Sequence, residues 1–373
     1  MKFLVTSTTL ANKLAEMSKV MTSKTASPIL SHFLFELEGE NLQIIASDGE
    51  CFQHSVLPVA TVEGSGKVCL PADRLLNALR NMPEQPIGFT INETTLNITV
   101  KYTNGHYEFV GNSADEYSIP TSLNHDAKQV QIEAKMLNTA ISQSLFAVAT
   151  DDLRPIMNGV YLTMKEEMFQ SVATDGLKLV RNTYKLENPL EEVSFLLPTK
   201  AAKIINNLTS KVTKPVTINF NEREAIFVLE NDTFRCRLLE GRYPNYNSVI
   251  PQNNPNSATI ERESLLSAIK RVGLFSSTAN GCIVMNFSGI NLNVSGKDID
   301  YSTSAEEVLF CSYSGENVKI GFKGEHLKQI LENTKSKEVI FQLGDHSRAA
   351  VIIPINEDEN IENLSLLMPI LVD

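Results

Sequence analysis

The sequence predicts an α+β protein of three tandem domains, each with two helices packed on antiparallel sheet. Three observations predict it. First, the chain repeats itself. Pro28-Ile29-Leu30 recurs as Pro155-Ile156-Met157, Ala46-Ser47-Asp48-Gly49 as Ala173-Thr174-Asp175-Gly176, and Leu70-Pro71 as Leu197-Pro198, all at a single offset of 127. From 28 to 49, 7 of 22 positions are identical to their counterparts. A period this long marks duplicated domains, because solenoid repeats run to roughly 20–50 residues. Second, helical and alternating patterns recur in one order. Third, polar, turn-rich stretches at 123–130 and 252–259 punctuate the chain, dividing it into 1–125, 126–253 and 254–373.

An amphipathic helix opens each domain, over 8–21, 133–146 and 261–274. Leu10, Leu14, Met17 and Met21 follow the helical period. Alternating strands come next, for example 33–37 and 42–46, joined by the turn Glu38-Gly39-Glu40-Asn41. A short strand then leads into a second helix, over 71–81, 198–208 and 323–333. Pro71 and Pro198 suit the first helical turn, where a missing N–H costs little. Further strands close the first two units at Ile119-Pro120 and Ile250-Pro251. The third unit has diverged furthest. Leu292-Asn293-Val294-Ser295-Gly296-Lys297-Asp298 stands where the Asp-Gly strand belongs, at an offset of 123.

The 373 residues suffice for two or three cores. Apolar content of 42% and charged content of 21% fit an ordinary soluble globular protein. No apolar run approaches the ~20 residues that span a bilayer. Residues 1–7 turn polar too quickly for a signal peptide. The five cysteines are scattered, without CxxC or Cys/His ligand spacing. Together these features predict reduced, buried thiols, a cytoplasmic location and no membrane partner.

Net charge is −11, which alone argues against a polyanion partner. Its distribution argues the other way. The segments 8–21, 71–81, 133–147, 198–214, 261–272 and 323–337 carry 16 Lys/Arg and 7 Asp/Glu. They total +9, which leaves −20 for the rest. On the fourth helix, Lys200, Lys203, Lys211 and Lys214 fall within an ~80° arc. If that helix ends before Pro215, Lys211 and Lys214 lie beyond it. One reading is an ordinary solvated face. The recurrence over six helices favours a surface that attracts phosphates without reading bases. No aromatic side chains interleave there, which argues against single-strand stacking. Duplex nucleic acid is the expected ligand.

No phosphate-binding loop, HExxH, GxSxG or strand-linked GxGxxG occurs. The six histidines are isolated, and no metal or cofactor site is expected. A metal-dependent hydrolase would have to use Asp48, Asp175 or Asp151-Asp152. An Asp-Gly after a strand reads instead as a turn, with Gly supplying φ > 0. A protein-only scaffold would give no reason for cationic helices.

The three α+β repeats, the cationic helices, Ala173-Thr174-Asp175-Gly176, Leu239-Glu240-Gly241-Arg242-Tyr243-Pro244-Asn245-Tyr246 and the terminal Leu367-Met368-Pro369-Ile370 together resemble the β sliding clamps of bacterial DNA polymerase III. The resemblance covers essentially the whole chain. It implies a non-catalytic head-to-tail homodimer, closed into a ring around duplex DNA with helices lining the hole. The implied partners are the clamp loader, replicative and translesion DNA polymerases, and mismatch-repair and ligation proteins, docking through short linear peptides. It implies no cofactor.

Carried onto this chain, the resemblance implies a peptide cleft at Met157, Thr174, Gly176, Leu177, Leu179, Pro244, Val249, Leu366, Met368, Pro369 and Ile370. Leu177, Ser248 and Leu371 depart from the family pattern, which implies a more apolar, less cationic cleft. DNA contacts are implied at Lys24, Arg154, Lys200 and Lys203. The implied subunit interface sets Tyr107 and Phe109 against Leu274 and Phe275 of the other chain, with Arg74, Glu306 and Glu307 forming ion pairs at the rim.

Overall fold

The structure, a computed structural model, describes all residues except 23–26, 121–126, 152, 356–357 and 373. The described residues hold six α-helices: α1 Ser7–Met17, α2 Ala72–Arg80, α3 Ala134–Ser142, α4 Thr199–Thr209, α5 Arg262–Gly273 and α6 Gly324–Glu332. Each has a buried apolar stripe, such as Leu75, Leu76 and Leu79 on α2 or Leu265, Leu266, Ile269 and Val272 on α5. α1 packs on α2, and α5 on α6.

Several helix ends differ from expectation, among them that of α3, which stops at Ser142 rather than at 146. α1 stops at Met17 rather than Met21. The chain continues in tight turns, with Val20 N donating to Met17 O and Met21 N to Ser18 O. Pro71 and Pro198 close strands, opposite His32 and Gly159, so the second helices begin one residue later. α4 ends at Thr209, whose hydroxyl donates back to Ile205 O at 2.7 Å. Lys211 and Lys214 therefore lie beyond α4 and pair with Glu16 and Glu230. Within these bounds the helices hold ten Lys/Arg and five Asp/Glu, a net +5 rather than +9.

The chain forms two compact units, 1–135 with 204–238 and 136–203 with 239–373. All named strand pairs are antiparallel. The first unit holds a five-stranded sheet in the order Ala60–Glu63, Lys2–Thr6, Pro86–Ile91, Asn97–Tyr102, Gly105–Val110. Its eight-stranded sheet runs Lys128–Ile132, Val216–Phe220, Glu224–Val228, Asp232–Arg237, Cys51–Pro58, Asn41–Ser47, His32–Glu38, Gly66–Pro71. The second unit holds a seven-stranded sheet: Gly159–Thr174, Lys178–Pro198, Ile361–Leu367, Ala350–Pro354, Glu338–Leu343, Asn256–Glu261, Ser312–Ser314. Its four-stranded sheet runs Thr303–Phe310, Asn291–Asp298, Cys282–Ser288, Val318–Lys323. The strands starting at His32 and Cys51, and α2 starting at Ala72, recur at the offset of the sequence repeat, at Gly159, Lys178 and Thr199.

The two large sheets each join strands of successive repeats. In the first seam, Cys51–Pro58 pairs with Asp232–Arg237, and Ser55 faces Asp232. A half-buried ionic network lies beneath it, centred on the buried Glu16. Lys13 Nζ donates to Glu16 at 3.1 Å and to Asp232 at 3.0 Å. Gln53 Nε2 donates to both carboxylates at 3.3 Å. Ser55 donates to Asp232, and Lys211 to Glu16. Burial pulls the Lys13 pKa down, but the carboxylates of Asp232 and Glu16 outweigh it and hold the ammonium above its ordinary value.

In the second seam, Lys178–Pro198 pairs with Ile361–Leu367, and Asn182 faces Asn363. Asn182 and Gln143 stand one repeat beyond Ser55 and Glu16. Asn363 Nδ2 donates to Asn182 Oδ1 at 2.6 Å and to Gln143 Oε1 at 3.3 Å. The Tyr184 hydroxyl donates to Gln143 Oε1 at 2.9 Å. The place that holds ions in the first seam holds amides in the second.

The hairpin turns carry the repeat most plainly. Asp48 Oδ1 accepts from Glu50 N and Cys51 N at 2.9 and 2.7 Å. Asp175 Oδ1 accepts from Leu177 N and Lys178 N at 2.9 Å. Asp298 Oδ1 accepts from Asp300 N and Tyr301 N at 3.0 and 3.1 Å. Gly49 and Gly176 take φ of 95° and 86°. In the third turn Ile299 follows Asp298, and the positive φ, 53°, falls on Ser302. Asp48 and Asp175, which a hydrolase would use, thus tie backbone amides, as Asp151 also does for Leu153 N at 3.0 Å, while Asp152 lies outside the described residues.

Glu16→Ala takes from Lys13 one of its two carboxylate partners, leaving Asp232, and removes the carboxylate that Lys211 pairs with; it is expected to cost about 3 kcal/mol in urea unfolding. Gln143→Ala, at the same place in the second seam, removes neutral hydrogen bonds and should cost only about 1–2 kcal/mol. Equal costs would contradict the two accounts. The two ends of the pH range provide a second check. Burial raises the Asp175 pKa, but bonds from the Lys178 ammonium and the amides of Lys178 and Leu177 outweigh it, so the net value is depressed. Its stabilisation is complete above the ordinary carboxylate range, about pH 4, and is lost as pH falls through the depressed folded value. The Lys13 contribution is complete below about pH 10.4 and is lost as pH rises through its raised folded value. Melting temperatures across pH should lose the acid-side change in Asp175→Asn and the alkaline-side change in Lys13→Met.

Candidate functional site

An apolar surface in the second unit gathers most of the expected cleft. Its floor is a cluster of Val172, Leu179, Tyr243, Ile250, Val351 and Leu366, with Ile156 and Tyr161 packed against it. The strands place these side chains: Val172 and Leu179 flank the Asp175-Gly176 turn, and Leu366 sits opposite Leu179 in the ladder. Tyr161 and Tyr243 stack with centroids 4.8 Å apart. Burial pushes the Tyr243 phenol above its ordinary pKa. Tyr246 anchors the following 3-10 turn by donating to Gln170 Oε1 at 3.2 Å.

The chain end is tied to this floor. Met368 N donates to Leu177 O at 2.9 Å, and Ile370 N to Gly321 O at 2.8 Å. Of the expected cleft residues, Thr174, Leu179 and Leu366 are buried in the floor. Met157, Pro244, Pro369 and Ile370 are half-buried, and Gly176 is exposed. Leu177, Val249 and Met368 present large apolar surface, at 51%, 56% and 42% exposure. Such exposure on three neighbouring segments marks a surface built to be covered.

Two basic side chains lie at the Asp175-Gly176 turn. Lys178 does not reach solvent. It is buried on Asp175 at 2.5 Å. Arg154, also a candidate for DNA contact, lies beside the turn: a Cβ on Gly176 would collide with its guanidinium. Asp151 holds it at 3.3 Å. The rim therefore keeps a cation despite Leu177. No pattern along the chain marks Ile156, Val172 or Val351 as floor residues, because each reads as ordinary core. Tyr243 was within reach, since it lies inside the Gly-Arg-Tyr-Pro motif.

The expected interface residues lie on two open sheet edges, one in each unit. Gly105–Val110 ends the five-stranded sheet. Tyr107 and Phe109 stand opposite the buried Val100 and Ile98, so they face the core side. Tyr107 is nevertheless 37% exposed. Thr303–Phe310 ends the four-stranded sheet. Beside it, Leu274 and Phe275 close α5 while exposed to 81% and 43%. Arg74 is exposed on α2. Glu307 was expected to pair with the other chain. Arg271 of its own chain already holds it by two bonds of 2.7 and 2.6 Å. Glu306 accepts from Asn293.

Of the remaining cationic candidates, Lys203 is exposed on α4 and Lys200 is half-buried. Lys24 lies outside the described residues. Among the described residues no cluster of three His, Cys, Asp or Glu has metal-binding geometry, and no helix is long and apolar enough to cross a membrane.

The geometry has close counterparts among known proteins. The N-terminal, central and C-terminal domains of the DNA polymerase III beta subunit match residues 1–121, 131–245 and 247–370. Beta sliding clamps of Staphylococcus epidermidis and Staphylococcus aureus are each 24% identical, over 99% of both chains. The sliding clamp of Pseudomonas aeruginosa superposes with a TM-score of 0.91 at 23% identity, covering all of both chains. That of Bartonella birtlesii, bound to griselimycin, gives 0.90 at 25% identity, again over both whole chains. Successive matches to all three domains, in order, place this chain in the DNA polymerase III beta subunit family.

Proposed function

We propose that this chain is a non-catalytic DNA sliding clamp: two copies close head to tail into a ring that encircles duplex DNA and tethers polymerases to it. The domains divide at 1–125, 126–253 and 254–373. Lys24, Arg154, Lys200 and Lys203 contact the DNA phosphates. The partner peptides of polymerases, the clamp loader and repair proteins dock where Leu177, Val249 and Met368 are exposed, beside Arg154. The ring acts inside the cytoplasm, without a cofactor.

The observation that carries the ring is the contrast between paired and open edges. Phe234 and Cys236, one repeat beyond Tyr107 and Phe109, are 0% exposed because the first seam covers them. Ala147 and Val20, the counterparts of Phe275 one and two repeats earlier, are also 0% exposed, against 43% for Phe275. The open edges thus carry side chains of seam character with no seam on them. A second copy supplies the missing strand and buries a hazardous edge. A head-to-tail contact that closes makes a ring. Transferring the first-seam register, Cys51 opposite Cys236 and Gln53 opposite Phe234, sets Thr303 opposite Phe109 and Ala305 opposite Tyr107 of the other chain. Arg74 and Glu306 remain for the rim, while Glu307 braces Arg271.

A double variant, Phe109→Cys with Thr303→Cys, should cross-link into a covalent dimer on oxidation, read on a non-reducing denaturing gel. Efficient cross-linking of Phe109→Cys with Ala305→Cys instead would refute the register. The loaded ring should stay on closed circular DNA for far longer than on linear DNA of the same sequence; equal retention would sink the topological tether. Leu177→Asp with Met368→Asp should weaken a polymerase-derived peptide at least 100-fold by calorimetry, or about 2.7 kcal/mol, while the dimer persists. Unchanged peptide affinity would remove the cleft from these residues.

A further inference from the structure

Cys51 and Cys236 face each other directly in the first seam. Arg237 N donates to Glu50 O at 3.0 Å, which makes this a non-hydrogen-bonded pair of the ladder. Opposite Cα atoms at such a pair approach to about 4.5 Å, with side chains close together. A disulfide needs Cα atoms about 4.4–6.8 Å apart. Paired residues project to one side of the sheet, here the buried side: Cys51 is 6% and Cys236 0% exposed. Neither is in a disulfide. Neither takes part in the cleft, the DNA contacts or the subunit edges.

We propose that Cys51 and Cys236 form a reversible redox site, at which mild oxidation turns the hydrogen-bonded seam between the first two repeats into a covalent one. The oxidant is a small disulfide such as oxidised glutathione. The Cys51 thiolate, the more accessible, attacks one sulfur of that disulfide, forms a mixed disulfide and expels one glutathione thiolate. Cys236 then yields its proton to solvent, attacks Cys51 Sγ, closes the Sγ–Sγ bond and releases the second glutathione. Two protein thiols are oxidised and one small disulfide is reduced to two thiols. Burial pushes the Cys236 thiol well above its ordinary pKa, so the second step is slow and answers sustained rather than brief oxidation. The second seam has no such site, because Lys178 and Leu367 occupy the matching pair. Transient, sensing disulfides are the kind found in reducing compartments.

The test is oxidation of the full chain with oxidised glutathione, followed by blocking of free thiols, intact mass and non-reduced peptide mapping. The expected product has lost two hydrogen atoms, joins the Cys51 and Cys236 peptides, and reverts with dithiothreitol. Hydrogen exchange along Asp232–Arg237 should slow in the oxidised form and recover on reduction. Cys51→Ser and Cys236→Ala should each abolish the cross-link, and Cys69→Ala should keep it. The proposal is overturned by glutathione adducts without a cross-link, by a bridge to Cys69, Cys282 or Cys311, or by a bridge that leaves seam exchange unchanged. The mapping on the unsubstituted chain decides the matter even where a variant folds poorly.

Discussion

Backbone hydrogen bonding along a sheet edge is the interaction on which the rest of this structure depends. An unpaired edge leaves a row of N–H and C=O groups that must be covered or paired. Here each repeat offers one edge strand to a strand of the next. Cys51–Pro58 meets Asp232–Arg237, and Lys178–Pro198 meets Ile361–Leu367. The large sheets that result belong to neither repeat alone, which explains why the compact units cut across the sequence repeats. The floor of the apolar surface owes its position to the second pairing, because Leu179 and Leu366 face each other across it.

Shared geometry does not require shared chemistry. The first seam buries Glu16, Asp232 and Lys13, whose charges survive burial only because each has several partners. The second uses Asn182, Asn363 and Gln143, which satisfy one another without net charge. At the third position of the series, on the open edge, Arg271 and Glu307 form an exposed ion pair. Ionic, neutral and ionic sets occupy one structural place. Each seam therefore recognises its own partner strand, and a strand from the wrong repeat would leave buried groups unpaired.

Much of this was legible beforehand, for physical reasons that differ by element. The helices were readable because residues such as Leu10, Leu14 and Met17 recur at the helical spacing. The turns were readable because Asp-Gly solves a local backbone problem. The ends of α1 and α4 were not, because Val20, Met21 and Val212 keep the apolar spacing after the hydrogen bonding has changed. The charge surplus on the helices shrank for the same reason: Lys19, Lys211, Lys214, Lys335 and Lys337 lie beyond the helix ends, and Lys211 and Lys214 are paired there. In the apolar site, Leu177 and Met368 were visible through the motifs around them, whereas Val172 and Val351 were hidden among core residues. The position of Arg154 depends on a close approach to Gly176, and no pattern along the chain encodes it.

The third hairpin turn has a consequence of another kind. In the first two repeats a glycine with positive φ follows the aspartate, and the next strand begins three residues after that aspartate. In the third, Asp298 still ties the following amides, but the strand begins five residues later and no glycine is needed. A corner fastened by a carboxylate can lengthen without unpairing the strands on either side. Ile299 and Tyr301 project from the longer corner at 78% and 72% exposure. The duplication thus carries its own place for divergence: one copy of the corner was free to acquire reach and an apolar tip while the core beneath kept its pattern.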